Sequence, residues 1–569
     1  MGLMDMPEKS ANWRDSKLSK ADWPWLLAFF VLMCIVTSLP YLMAYANQGE
    51  SYRFSGFVFA VEDGNSYIAK MLAGASGAWL FKTPYTSQDQ SGVLMMLPYL
   101  LIGKLAAAPG MHLQLVALNH LFRLAAVGLY LLASYEWIAW FIDDVRLRRL
   151  GVLLAAVGGG LGWLFLWLVP FLPGQSLPLE FYSPETFGFL GLYGLPHLAL
   201  ARACLLWALL SSFRWLAKPA GAGHKGKFIL QLGSFWMLAG IAQPLTFVLI
   251  GVLIAIYITI WTWQFISQNH ASLRTLGFPW WQDLWRQRLA PFAAAAVLPV
   301  LFSLYHFWMI LRDPFLQAWS AQNIIRSPHP LYYLLAFGLF VPYAWFGYRR
   351  LKEYDASEAA FLSTWIFISF VLAYFPVNLQ RRLPEGVWMA WIVLSLAALS
   401  ADRGTEKTAN QRGRRLALAG LGLAFPSSLL MIWMGMMAAF NPSAPVFLPT
   451  SQVQAYEQFN QFAQRDQVVL SAFQTGNALP AYAPVRVVIG HGPESANLSE
   501  LQPQIAAFFQ AGTPHENRIQ LICSQSVDYI FWGSHERALG DWQPMEMPGV
   551  NKIYENQDVQ VFQVEVLCP

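Results

Sequence analysis

Gly92-Val-Leu-Met-Met-Leu-Pro-Tyr-Leu-Leu-Ile-Gly-Lys104 is apolar enough to pass for a membrane span, and whether it crosses decides on which side every later loop of this 569-residue chain lies. Pro98 and Lys104 interrupt it, and Pro84 and Pro109 bracket it. A crossing needs about 20 apolar residues to clear roughly 30 Å of hydrocarbon. The stretch 92–108 is therefore read as a short helix along the outer interface, not as a crossing.

With that decision made, the rest of the chain falls into order. Hydrophobic residues make up 56% and charged residues 12%, with a mean hydropathy of +0.39, against about 25% charged in soluble proteins. Such a chain is a polytopic membrane protein. Apolar runs of spanning length occur near 23–46, 113–141, 149–171, 190–213, 228–242, 244–266, 290–311, 330–348, 359–377, 384–400 and 413–438, about eleven in all. Lys9, Arg14, Lys17 and Lys20 precede the first run, so residues 1–22 are expected to form a cytoplasmic tail before an uncleaved anchor. Counting onward, Arg146, Arg148 and Arg149, then Arg214, Lys218, Lys225 and Lys227, fall on the same side. So do Arg286 and Arg288, then Arg349, Arg350 and Lys352, and finally Arg403, Lys407, Arg412, Arg414 and Arg415. Every dense basic loop is then cytoplasmic, as the positive-inside rule requires. Loops 47–112, 172–189, 312–329 and 378–383, and everything beyond about 439, face outward.

The expected domains are thus the tail 1–22, a transmembrane domain 23–439 with a large outward first loop 47–112, and an extracytoplasmic α/β domain 440–569 behind the proline-rich linker Asn441–Pro449. In that last domain Gln467–Leu470, Val485–Ile489, Val527–Trp532 and Val559–Val564 read as strands, and Ser451–Gln464 and Leu498–Ala511 as helices. Cys523 and Cys568 both fall there, where disulfides form, whereas Cys34 and Cys204 lie in spans. No nucleotide-phosphate loop, metal-ligand spacing or nucleophile motif is present.

Chemistry is expected on the outward loops. The first holds Phe59-Ala-Val-Glu-Asp-Gly-Asn-Ser-Tyr-Ile-Ala-Lys70, where Glu62 and Asp63 follow an apolar stretch, a setting suited to a general base. The plainer alternative is that Asp63 caps the following helix. Arg381 and Arg382 sit together in Phe375-Pro-Val-Asn-Leu-Gln-Arg-Arg-Leu-Pro-Glu-Gly-Val387 between two apolar runs. A charge within a span costs about 2.5–3.5 kcal/mol, so an anion should offset the pair. Glu385, Glu62, Asp63 or Glu185 would do so structurally, and a phosphate would suit guanidinium groups better than ammonium. Glu185, His197, Asp313, Gln322 and Asn323 supply polar groups for a sugar, and Trp79, Trp319 and Tyr85 supply faces to stack on. Trp and Tyr also gather at membrane interfaces for reasons unrelated to ligands. Gly490-His-Gly-Pro-Glu494 follows a predicted strand, as an acceptor site or an ordinary turn.

The layout of residues 20–440, with Glu62-Asp63 and Tyr67, Gly77-Ala-Trp79, Pro84-Tyr85 and the interfacial segment 92–108, resembles the GT-C class of integral membrane glycosyltransferases. Asn477-Ala-Leu-Pro480, Arg486-Val-Val-Ile-Gly-His491 and Asp528-Tyr-Ile-Phe-Trp-Gly533 resemble soluble domains attached to uncharacterised bacterial members. The resemblance implies inverting transfer of a sugar from a polyprenyl-phosphate donor to a lipid, glycan or protein acceptor on the outer face of the cytoplasmic membrane. Asp63 would be the base, with Glu62 orienting it or holding a metal, and Arg381 and Arg382 would stabilise the departing lipid phosphate. Tyr67, Tyr85, Glu185, His197, Asp313, Gln322 and Asn323 complete the expected substrate-binding set. Some members use a divalent cation, Mg or Mn; two tightly spaced carboxylates favour independence from metal. Membrane lipids are the expected surroundings, and nucleic acid is not an expected partner. A transporter or flippase, or a non-catalytic binding subunit for a lipid-linked envelope precursor, stays open beside this. A transporter should show inverted repeats and broken helices near the midplane, and the sequence shows neither.

Overall fold

Long apolar runs become helices that keep an apolar face turned outward. In the computed structural model, which describes residues 18–218, 223–276, 279–400, 411–565 and 568, nine helical segments are long and apolar enough to cross a membrane. On them Leu27, Val248, Leu301 and Trp345 lie with more than half of their surface exposed. Water would penalise such faces, whereas lipid tails are as apolar as leucine. The chain is a multi-pass membrane protein. The nine segments account for nine of the expected runs; the other two are helices as well, Lys225–Ala242 and the twelve-residue Trp388–Leu399. Lys9, Arg14, Lys17, Arg403 and Lys407, on which part of the expected orientation rests, lie outside the described residues.

The chain divides into two compact units. The first comprises residues up to Thr37, Arg123–Tyr305 and Ile325–Trp433, and is helical. Its core is aromatic: Trp137 and Trp365 meet edge to face with centroids 6.0 Å apart, and Phe213 packs 4.2 Å from Tyr257. Close approach here depends on small residues. A Cβ at Gly347, in the helix Val341–Tyr354, would lie 1.7 Å from the Leu394 carbonyl oxygen of Trp388–Leu399. Arg350, one turn further on, donates to the Ala398 and Ser400 carbonyls where that second helix stops.

The second unit comprises Ser38–Phe122, His306–Ile324 and Met434–Pro569. Within it the interfacial segment forms Leu97–Gly103, a seven-residue helix of about 10 Å, far short of a crossing. A small antiparallel ladder pairs β1 (Tyr52–Phe54) with β2 (Phe447–Pro449), Phe54 opposite Phe447. The main sheet contains β3 (Val468–Leu470), β4 (Arg486–Val487), β5 (Tyr529–Trp532), β6 (Val550–Glu555) and β7 (Gln560–Val564), in the order β4-β3-β5-β7-β6. The first three strands are parallel, as a buried α/β sheet requires, and β7 and β6 return antiparallel. All four expected strands are present. β6 was not expected, because an edge strand with a mostly exposed Val-Asn-Lys-Ile-Tyr-Glu pattern lacks the apolar run of its neighbours. Phe57, Ile68, Tyr85 and Leu115 from the first loop share one buried core with Tyr456, Val469 and Phe531 from the sheet region. Cys523 and Cys568 are joined in a disulfide.

Candidate functional site

Glu62 and Asp63 lie in the first turn of the helix Val61–Ala75, which starts three residues earlier than a capping Asp63 would allow. The cap position is Ala60, and no side chain caps it. Ala60 takes a left-handed conformation, φ 49°, which costs a residue with a Cβ roughly 1–2 kcal/mol. Its carbonyl accepts from the Gly64 amide at 2.8 Å, closing the first turn and setting both carboxylates there, where the helix dipole favours negative charge. Gly64 is demanded by packing: the Phe57 ring lies 2.5 Å from where its Cβ would be.

Facing this turn is the loop Gly490–Ser495. Glu62 accepts the Gly492 amide at 2.9 Å, and Asp63 lies 3.3 Å from His491 Nε2. Asp63 keeps about half of its side chain exposed while His491 is buried. Behind them lies a closed charge set. Glu494 accepts from Lys70 Nζ at 2.7 Å, Ser66 Oγ at 3.1 Å and Thr83 Oγ1 at 2.6 Å. Burial by itself would raise the Glu494 pKa; Lys70 and His491, with the Lys70 and Thr83 hydrogen bonds, outweigh it and hold the group below the usual value. The loop is held further by Ser495 Oγ, which accepts the Gly490 and His491 amides, and by Gln322, which donates to the Pro493 and Ser495 carbonyls. Asn477 completes the frame, donating to the Glu62 carbonyl and accepting from Asn65. Among the described residues no group of three His, Cys, Asp or Glu side chains is arranged to hold a metal ion.

The remaining expected residues of this unit have definite places. Tyr85 is fully buried, donates to the Asn477 carbonyl and lies 5.4 Å from the His491 ring. Tyr67 stacks on Tyr99 at 4.5 Å. Asp313 caps the helix Pro314–Gln322 by accepting the Leu316 amide, and its second oxygen accepts the Ser91 amide. Asp313 is buried, and both of its oxygens accept backbone amides. Asn323 ends that helix.

The arginine pair belongs to the first unit. Arg382 lies 3.3 Å from buried Glu185, the structural partner weighed above. Glu385, the other such partner in this unit, instead pairs with Arg202, whose guanidinium also reaches the Phe187 and Pro184 carbonyls. Arg381 lies over the Tyr182 ring at 4.7 Å, and among the described residues no carboxylate pairs with it. Glu185 and Arg202 line a small cavity with Tyr130, Gly386 and Trp388. His197 is the second residue of the helix Pro196–Ala217, partly buried.

Lys70 and Arg202 were not expected in a site, and His491 and Glu494 only as part of an acceptor motif. Arg202 had a signal, a lone guanidinium within an apolar run. His491 and Glu494 lay in a motif equally legible as a turn.

No protein-family model matches the sequence, and no curated protein matches it. Solved structures do. The Archaeoglobus fulgidus oligosaccharyltransferase tethered with an acceptor peptide aligns over 90% of this chain and 69% of its own, with a TM-score of 0.52 at 12% identity. The mycobacterial arabinofuranosyltransferase AftD aligns over 94% of this chain at 12% identity with a TM-score of 0.54, and the chain spans 42% of AftD. Identities this low speak to fold alone. The structural neighbours are glycosyltransferases of the GT-C class, and the fold of this chain is similar to theirs.

Proposed function

We propose that this chain is a glycosyltransferase that moves a sugar from a polyprenyl-phosphate donor to an acceptor hydroxyl on the outer face of the cytoplasmic membrane, with inversion. The observation that carries the proposal is the half-exposed Asp63 carboxylate at a helix start, braced by His491 and by the neighbouring Glu62–Gly492 contact. The two solved structures of similar fold are named as glycosyl-transferring enzymes, which supports the same class.

In this reading the acceptor oxygen attacks the anomeric carbon as the bond from that carbon to the phosphate oxygen breaks. The phosphate leaves with the electron pair, and Asp63 takes the acceptor's proton. His491 and Glu62 are positioning residues that fix the Asp63 carboxylate and the loop opposite it. Arg381, the cation of its pair with no carboxylate partner among the described residues, holds a phosphate oxygen of the donor lipid, and Arg382 contributes charge while paired with Glu185.

The test is transfer from radiolabelled polyprenyl-phosphate sugars by purified protein in lipid. Asp63→Asn should lower transfer by about 10²–10⁴-fold with donor binding retained, and Arg381→Ala should weaken donor binding itself. Donor binding without transfer in the wild-type protein, across a panel of sugars and acceptors, would instead indicate a transporter or a binding subunit.

A further inference from the structure

The helices Pro196–Ala217 and Lys225–Ala242 form a hairpin whose mouth holds an open cleft of about 500 Å³. On the first helix Trp207, Ser211 and Arg214 line it, with Lys218 just past the helix end, spaced four, three and four residues apart along one stripe. His224, which caps the second helix, and Lys227, Gln231 and Phe235 on it form the matching stripe, spaced three, four and four residues apart. The helices run in opposite directions, so both stripes grade the same way. Arg214, Lys218 and Lys227 stand near the mouth beside the stacked rings of Trp215 and Phe228, and Trp207 and Phe235, with ring centroids 5.3 Å apart, carry the aromatic wall to the far end, where no cation among the described residues lines it. Eleven residues of helix separate the ends, about 16 Å.

Charge in the cleft is unbalanced. Among the described residues Glu136 is the one carboxylate lining it, and it pairs with Arg214 at 3.3 Å. Lys218 and Lys227 are exposed and have no carboxylate partner among the described residues. A soluble phosphate would satisfy the cations but gain nothing from the aromatic end. A zwitterionic headgroup would set its own ammonium against two lysines. A molecule with a phosphodiester at one end and an acyl chain at the other matches the whole gradient.

We infer that this cleft binds an anionic phospholipid, its phosphate between Lys218 and Lys227 and its chain along Trp207 and Phe235. The site is independent of the transfer chemistry proposed above. On the charge distribution of the loops its mouth opens at the cytoplasmic face, the leaflet surface where basic clusters gain about 1 kcal/mol per residue.

The experiment is native mass spectrometry of the purified full chain titrated with phosphatidylglycerol or phosphatidylcholine, with and without millimolar inorganic phosphate. Phosphatidylglycerol should bind preferentially, Lys218→Gln and Lys227→Gln should each weaken it about fivefold, and Lys352→Gln, on the same predicted face but outside the cleft, should leave it unchanged. Equal binding of the two lipids, or equal loss in Lys352→Gln, would overturn the site. Competition by inorganic phosphate would reassign it to a soluble anion and overturn the lipid. Both lysines are exposed, so their removal leaves the fold intact, and unchanged thermal unfolding of the variants checks this.

Discussion

Lys70 and Glu494 are each almost wholly shut off from water, and neither is tolerable there alone. Lys70→Met should destabilise the protein by about 3–5 kcal/mol, because Glu494 is then a buried charge without its cation. Adding Glu494→Gln should restore most of that loss. Thermal unfolding in detergent at neutral pH distinguishes this from a packing defect at position 70, which the second change would not repair. The pH dependence follows from the sign of the shift. Glu494 has a folded-state pKa below the ordinary 4.5, so its contribution is fully present above 4.5 and is lost as pH falls through the depressed value. Acidification below about pH 4.5 should therefore narrow the gap between wild type and the double variant. At this scale the sequence was legible for Glu62, Asp63 and the arginine pair, since carboxylates and guanidinium groups beside apolar runs are conspicuous. It was not legible for Lys70 and His491, whose meaning depends on segments more than 400 positions apart being brought together.

Helices in this chain are separated by whatever their smallest residues permit. Gly347 is the clearest case: any side chain there meets the Leu394 carbonyl, backbone that cannot rotate away. Gly347→Ala should push Val341–Tyr354 from Trp388–Leu399 and lower stability by about 1–3 kcal/mol. Gly226→Ala, in a helix with open space around that position, should be neutral or slightly stabilising. Equal effects of the two substitutions on the melting temperature would refute close packing at Gly347. Spans were readable from the sequence because length and apolarity are local properties. Trp388–Leu399 fell short of its expected run because residues 383–387 run as turns, with Pro384 and with Gly386 in a left-handed conformation, φ 80°. The strands β3, β5 and β7 were readable as apolar runs, whereas β6 and the short helices Phe473–Ala478 and His515–Ser524 were not, being too brief or too polar to show a period.

For the molecule as a whole, orientation is the property most open to test. The charge distribution predicts Lys352 inside and the 440–569 segment outside, an expectation that fits a Cys523–Cys568 disulfide formed in an oxidising exterior. A membrane-impermeant maleimide should label Gly512→Cys in intact cells and Lys352→Cys only after permeabilisation. The reverse pattern would invert the topology and remove the outer face from the proposed reaction.

The second unit draws on three separated stretches of chain, and this bears on how the protein is made. Asp63 leaves the ribosome 428 residues ahead of His491. At the usual 5–20 residues per second, that is an interval of roughly 20–90 s during which the acidic helix exists without the loop that braces it. A chain stalled in any helix between Phe122 and Gly490 carries both carboxylates without their brace, so the Asp63–His491 contact forms only once the loop Gly490–Ser495 has been made.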